Sequence, residues 1–253
     1  LQAGIGVTPE SGLLLVTNGV YNTGVASETD GKSRIRIAGR VTVRSVNGAA
    51  ATVIQGSGLE TFGSSGAVRC VSMTEGRIEG FTLEHGMNDG GGVRATSFLS
   101  VIRDCVIRNN SATYGGGAYK GTLVNCVVSD NRADDGGGLY NAKARNCTLA
   151  RNKATAGGGA CDASLVNCLV RENTALAEGG GTRNGTTVDC VLTKNAGGGA
   201  YRGTLINCTI VGNAMLPSTS NGNGGVYGAT VINSILLGNR SAVGELDNES
   251  NST

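Results

Sequence analysis

Hydrophobic and polar residues alternate in short runs along this chain, and the runs are punctuated by glycine and asparagine. Arg34-Ile35-Arg36-Ile37 alternates strictly, and Val41-Thr42-Val43-Arg44-Ser45-Val46 does the same. A period of two predicts half-buried strands, because successive side chains of a strand point to opposite faces. Further strands are predicted at LLLV after Ser11-Gly12, read as buried, and at Val20-Tyr21 beyond the turn Thr17-Asn18-Gly19. Ala51-Thr52-Val53-Ile54 follows an Asn47-Gly48 turn, and Ala67 to Met73 and Arg77 to Leu83 are the next strands. Residues 23–32 are polar, contain glycine and read as a loop. LQAGIGV, Leu1 to Val7, reads as the end of a short helix, and no segment holds a helical apolar period over three turns.

From Gly90 onward the pattern becomes a repeat. GGGAYKGTLVNCVVSDN (Gly115 to Asn131) returns as GGGLYNAKARNCTLARN, GGGACDASLVNCLVREN, GGGTRNGTTVDCVLTKN and GGGAYRGTLINCTIVGN. Looser copies end at Asn110 and Asn239, and Phe81 stands earlier where these copies carry Cys. In register lie Cys105, Cys126, Cys147, Cys168, Cys190 and Cys208, then Ser234, at spacings of 21, 21, 21, 22, 18 and 26. Five residues after each comes an asparagine: Asn110, Asn131, Asn152, Asn173, Asn195, Asn213 and Asn239. Two residues after each comes an aliphatic, from Ile107 to Leu236. The length changes fall mostly between the ladder Asn and the next glycines, from Ala196 alone to the stretch 214–223, which marks a surface loop.

A period of two within a unit of about 21 residues predicts three short strands per rung of a coil, with rungs stacked about 4.8 Å apart. Like positions then sit above one another. The Asn amide can donate to one neighbouring rung and accept from the other, and asparagine tolerates the left-handed backbone of a sharp corner. The Asn or Asp before each ladder Cys or Ser (Asp104, Asn125, Asn146, Asn167, Asp189, Asn207, Asn233) is read as structural in the same way. The six ladder cysteines are read as reduced, inward and stacked, since parallel side-chain directions suit a disulfide poorly. Cys161 lies off the ladder and is read as exposed; Cys70 lies outside the regular repeats.

Composition sharpens this picture. The chain has 253 residues, of which 43 are glycine and only 2 proline, and the glycines cluster in triplets, so it is not collagen-like. Lys and Arg number 21 against 19 Asp and Glu, with no basic stripe, which argues against nucleic-acid binding. No apolar run is long enough to span a membrane. No His or second Cys sits at zinc-ligand spacing. Leu1 follows neither an initiator Met nor a leader pattern, so the chain reads as a trimmed piece of something larger.

VRSVNGAAATVIQG (Val43 to Gly56), RIEGFTLEHG (Arg77 to Gly86) and the GGG…NC…N units resemble the right-handed parallel β-helix, or pectin-lyase-like, family. The pattern looks especially like the GGG- and Asn-rich repeats of large bacterial exported and surface proteins. The resemblance implies an all-β, single-domain solenoid of about ten or eleven rungs, roughly 50 Å long at the rise of a sheet. The domain is expected over residues 1–243, with 1–40 as cap and first rungs, 90–240 as regular repeats, and 244–253 as a polar tail or linker. It also implies export to the extracellular space or cell surface. The family includes polysaccharide lyases, hydrolases, epimerases, adhesins and passive stalks, so fold alone does not decide activity.

Two functions are open. The residue two after each glycine cluster gives Arg94, Tyr119, Tyr140, Cys161, Arg183, Tyr201 and Tyr227, and its predecessor is inward in type. This outward Tyr/Arg row is either a glycan platform or a cross-rung stack covering the sheet. With it goes a structural or adhesive module that has no catalytic residues, no cofactor and no metal. Such a module would bind a polysaccharide, further domains, or a second copy end to end through the uncovered apolar run Ile235-Leu236-Leu237. The alternative is a carbohydrate-active enzyme on an acidic polysaccharide, with calcium if a lyase. Arg108, Arg171 and Lys194 are its exposed base candidates. Asp134-Asp135, nearby in sequence, reads as a solvated turn, and His85 as a surface or corner residue. Long loops favour the enzyme, and only 23–32, 56–66 and 214–223 are long.

Overall fold

The structure is a computed structural model that describes residues 1–57, 66–216 and 224–250, with backbone alone at 249–250. The long segments expected at 56–66 and 214–223 therefore lie mostly outside the described residues, as do 251–253 of the tail. The chain is a right-handed parallel β-solenoid. Among the described residues the first sheet holds ten strands, from Leu13–Val16 to Thr230–Ile232, and the second holds ten, from Gly19–Tyr21 to Ile235–Leu237. The third holds eleven, from Ala26–Glu28 to Glu249–Ser250. A fourth, short sheet stacks Ser111–Tyr114, Arg132–Asp135, Lys153–Ala156 and Thr174–Glu178. Strand pairs are parallel throughout, except the hairpin of Ala26–Glu28 with Gly31–Ile37. One turn of the coil runs Thr122–Val124, Val127–Ser129, Arg132–Asp135, Leu139–Tyr140, and then enters the first sheet again at Lys143–Arg145.

Inward rows fill the coil. In the second sheet Leu83, Ile107, Val128, Leu149, Val170, Leu192 and Ile210 are all fully buried, and Leu236 packs on them. In the third, Val71, Val93, Ala118, Leu139, Ala160, Thr182, Ala200 and Val226 form the facing row. Burying each aliphatic side chain contributes about 1.5–3 kcal/mol, which offsets the cost of ordering a chain without tryptophan. A six-residue helix, Gln2–Val7, closes the N-terminal end by placing Ile5 in this core. Leu13–Val16 is less buried than its composition suggests. Only Leu14 and Val16 turn inward, while Leu13 and Leu15 stay 49% and 57% exposed on a strand that begins the stack.

The corners carry left-handed residues, and the corner from the third sheet to the first carries two in succession at Lys120-Gly121, Asn184-Gly185 and Arg202-Gly203. Between the first and second sheets the left-handed residue is the Asn or Asp before each ladder Cys or Ser, with φ from 50° to 55°. Between the second and short sheets it is Asn109, Asp130, Arg151, Glu172 or Lys194, the residue before the ladder Asn. The ladder Asn itself is not left-handed, contrary to expectation; its amide binds the corner rather than bending it. The glycine triplet follows the short sheet. Its first residue has φ near 65° in Gly115, Gly136 and Gly157, while its third abuts the neighbouring turn: a Cβ on Gly138 would lie 2.4 Å from the Gly159 carbonyl oxygen.

Two stretches read as irregular are strands. Gly31–Ile37 begins inside the expected loop 23–32, and Asp134 and Asp135 end a short-sheet strand rather than forming a solvated turn. There the inward row Ala112, Ala133, Ala154, Ala175 is small enough for the strands to lie close to the coil, and backbone pairing along the stack supplies what side-chain propensity lacks. The segment 244–250 is not a free linker. Glu249–Ser250 pairs with Val226–Tyr227, and Asp247 donates its N–H to the Asn239 carbonyl at 2.8 Å. Open carbonyls and N–H groups at the end of the third sheet thus gain partners. The last strands of the other two sheets gain none from this segment, and Ile235 and Leu237 remain 61% and 63% exposed.

Candidate functional site

Two amide ladders frame the coil. The inner one is buried. Asn131 Nδ2 donates to Asn152 Oδ1 at 3.0 Å and to the Ile107 carbonyl at 2.9 Å. Asn152 repeats this toward Asn173, and the pattern continues to Asn239. Every ladder Asn from Asn110 to Asn239 is at most 1% exposed. Gly86 donates its N–H to Asn110 Oδ1 at one end, and Asn248 Oδ1 accepts from Asn239 at the other. The outer ladder runs in solvent: Asn125 Nδ2 donates to Asp104 Oδ1 at 3.1 Å, and Asn167 Nδ2 to Asn146 Oδ1 at 2.9 Å. All eight cysteines are free and buried. A ladder thiol donates to the carbonyl two residues back, as Cys105 does to Arg103 at 3.1 Å, and Ser234 makes the same bond to Ile232 at 2.8 Å. Burial pushes Cys70 up to about 12 and raises Cys208 as well. These residues bond one turn of the coil to the next.

The Tyr/Arg row is where the outer surface departs from repetition. Strand register places Arg36, Ser72, Arg94, Tyr119, Tyr140, Cys161, Arg183, Tyr201 and Tyr227 side by side on the outer face of the third sheet. Their predecessors occupy the core, so alternation turns this row outward. Arg36 and Ser72 extend it beyond the glycine triplets; the alternating RIRI run was the signal for Arg36.

The rings, however, face one another. Tyr119 and Tyr140 are stacked at 5.7 Å and 14°, Tyr201 and Tyr227 at 5.2 Å and 9°, and Tyr114 tilts against Tyr140 at 5.0 Å. Arg94 lies over Tyr119 at 5.7 Å and Arg202 over Tyr201 at 5.2 Å. Ring faces used along the stack are unavailable to a sugar, so an incoming ligand meets ring edges and hydroxyls. Burial raises the Tyr140 and Tyr201 hydroxyls, with Asp162 adding to the first and Glu178 to the second. Cys161 corrects an expectation: it is fully buried, not exposed. Arg183 Nη1 donates to its sulfur at 3.6 Å, and burial lifts the thiol to about 11.

Carboxylates that sequence reading did not connect with the row line its side. Asp30, on the hairpin, meets Arg94 at 2.6 Å and the buried Arg69 at 3.3 Å. Glu28 accepts from Ser33 and Ser72 and lies 3.8 Å from Arg36. Glu178, from the short sheet, meets Arg183 at 3.3 Å. Between hairpin and sheet opens a cleft of about 590 Å³ whose walls include Glu28, Asp30, Arg36 and Arg94, with Thr74 and Thr96 between them.

The structure does not gather the base candidates. Arg108 is paired with Glu84 at 2.9 Å, and Arg171 with Glu172 at 2.9 Å, in one row of the second sheet three strands apart. Lys194 sits at a left-handed corner. His85 is a corner residue with φ 56°, its Nδ1 3.2 Å from Gln55 Nε2. Among the described residues no three His, Cys, Asp or Glu side chains group at metal-holding distance.

No family model and no curated protein matches the sequence. Solved structures do. A pectate lyase is 14% identical with a TM-score of 0.54, over 98% of this chain and 72% of its own. The Dettilon tailspike protein is 13% identical with a TM-score of 0.46, over 89% and 55%. The A-module of a mannuronan C-5 epimerase from Azotobacter vinelandii is 18% identical with a TM-score of 0.43, over 95% and 73%. The pectate lyase likeness shows the fold, as the repeats implied.

Proposed function

We propose that the chain is a non-catalytic, extracellular glycan-binding module that holds a polysaccharide along the outer face of the third sheet. The observation that supports this is the row from Arg36 to Tyr227, in which Arg36, Arg94, Tyr119, Tyr140, Arg183 and Tyr227 present guanidinium, hydroxyl and ring-edge groups, with gaps where Ser72, Cys161 and Tyr201 are buried. Such a row supports binding spread over many small contacts, as in avidity. Proton abstraction needs a free base beside one reacting atom. Arg108 and Arg171 are each engaged by a carboxylate, Glu84 and Glu172, and stand three strands apart, so they do not meet at one reacting atom. The enzyme reading rests on Lys194, for which no ion pair occurs among the described residues, and on the fold shared with a pectate lyase. Affinity electrophoresis through gels containing neutral and acidic polysaccharides tests binding, and ultraviolet absorbance of unsaturated product tests lyase action. Retardation without product is expected. Product that disappears in Lys194→Ala would replace this reading with the enzyme.

A further inference from the structure

We infer that the ligand of this face is a neutral, hydroxyl-rich glycan and not a polyuronate. The inference rests on the glycan-binding reading above and concerns the chemical class of what binds.

The argument starts from charge. Each guanidinium of the row already has a carboxylate beside it: Arg36 has Glu28, Arg94 has Asp30, and Arg183 has Glu178. These partners come from outside the row, from the hairpin and from the end of the short sheet, so the pairing is built by tertiary structure. Two more carboxylates, Asp135 and Asp162, act on Tyr140 and Cys161 in the middle of the row. Other cations near the row include Lys120 over Tyr119, Arg202 over Tyr201, and Arg69, which is only 1% exposed. Fixed charge of both signs is therefore interleaved along the whole face.

A polyuronate laid on this row would bring a carboxylate toward Glu28, Asp30, Asp135, Asp162 and Glu178 in turn. To reach Arg94 it would have to displace Asp30, which would then stand beside it as a like charge while still compensating the buried Arg69. Like charges held close in a partly desolvated cleft repel strongly. A sugar hydroxyl meets no such conflict. It donates one hydrogen and accepts two, so it can bridge a carboxylate oxygen and a guanidinium N–H that stand side by side. The Arg94–Asp30 pair offers this donor and acceptor at the wall of the 590 Å³ cleft, and Thr74 and Thr96 add two hydroxyls to it. Arg183 and Glu178 repeat the arrangement further along, next to the Tyr201 hydroxyl.

Affinity electrophoresis and titration calorimetry with a panel of glycans decide the matter. The neutral arm is dextran, mannan, xylan and galactan; the acidic arm is polygalacturonate, alginate and chondroitin sulfate. We expect binding within the neutral arm, with affinity changing by no more than about twofold between 50 and 500 mM NaCl, since no net charge is exchanged. Glu178→Gln, at a partly exposed position, should lower that affinity several-fold with an unchanged melting temperature; an unchanged affinity overturns the role given to the carboxylates. Preference for the acidic arm, falling steeply with salt, overturns the inference and leaves the glycan-binding reading standing. Retardation by no glycan in either arm overturns both.

Discussion

Replacing Asn152 by alanine removes one link of the inner ladder, and the loss can be worked out bond by bond. Asn152 Oδ1 accepts from the Asn131 N–H at 3.1 Å and from Asn131 Nδ2 at 3.0 Å. Its Nδ2 donates to the Val128 carbonyl at 2.9 Å and to Asn173 Oδ1 at 3.0 Å. Asn173 Oδ1 keeps the Asn152 N–H at 2.9 Å, and Asn131 Nδ2 keeps the Ile107 carbonyl. The groups left without a partner are therefore the Asn131 N–H and one Asn131 amide hydrogen, in a corner that is at most 1% exposed. At about 1–3 kcal/mol for each stranded buried group, the expected cost is about 2–6 kcal/mol. Asn146 on the outer ladder is the matched control. Its amide stands in water, and Asn146→Gly also relaxes a left-handed φ of 54°, so that variant should change stability by less than about 1 kcal/mol. Urea unfolding followed by circular dichroism compares the two, with the slope monitored because a repeat chain can lose cooperativity. A cost below about 1 kcal/mol for Asn152→Ala would falsify the account, since it would mean that water enters the corner and satisfies the stranded groups.

Other consequences can be measured directly. Alkylation of native protein should modify none of the eight cysteines, and alkylation in denaturant all eight, without prior reduction; fast native labelling of Cys161 would contradict its burial. Gly138→Ala, which forces a Cβ against the Gly159 carbonyl, should lower the melting temperature markedly, and a neutral result would show that adjacent turns separate freely. Arg151 holds the Asp130 carboxyl below its usual range, so this pair stabilises the fold above the unfolded Asp value, near pH 4, and the contribution fades as pH falls through the lower folded value. Asp130→Asn should therefore reduce acid sensitivity slightly, the effect being small because the pair is exposed and screened. Sedimentation at rising concentration should show self-association through the open end, weakened in Ile235→Lys; a strictly monomeric chain would exclude it.

The coil and its two ladders were legible because identical residue types recur at one spacing, and stacking turns recurrence into contact. Asn110 to Asn239 and Cys105 to Cys208 could be placed without coordinates for that reason. The short sheet was not legible: Arg132-Ala133-Asp134-Asp135 has no strand character of its own and becomes a strand only because its neighbours do. The outward direction of the Tyr/Arg row followed from alternation, but the orientation of its rings did not, since 5 to 6 Å stacking depends on side-chain torsions. Glu28, Asp30 and Glu178 stand at no fixed distance from the arginines they meet. The hairpin and a bulge between Ala154 and Ala156 bring them there, and neither has a counterpart in the repeat.

The two amide ladders run in opposite senses. Inside, the amide-to-amide bonds run toward the C-terminal end, as from Asn131 to Asn152, while each amide also donates back to a carbonyl of the preceding turn; outside, the Asn amides donate toward the N-terminal end, as Asn125 does to Asp104, and Asp189 only accepts. Chains of aligned amides polarise one another and add their dipoles, which is how a long helix acquires charged ends. Here the amide-to-amide bonds of the two chains run opposite ways, and duplicating an Asn-type unit adds one link to each. The solenoid can therefore lengthen by whole units, gaining reach while each ladder keeps its own sense.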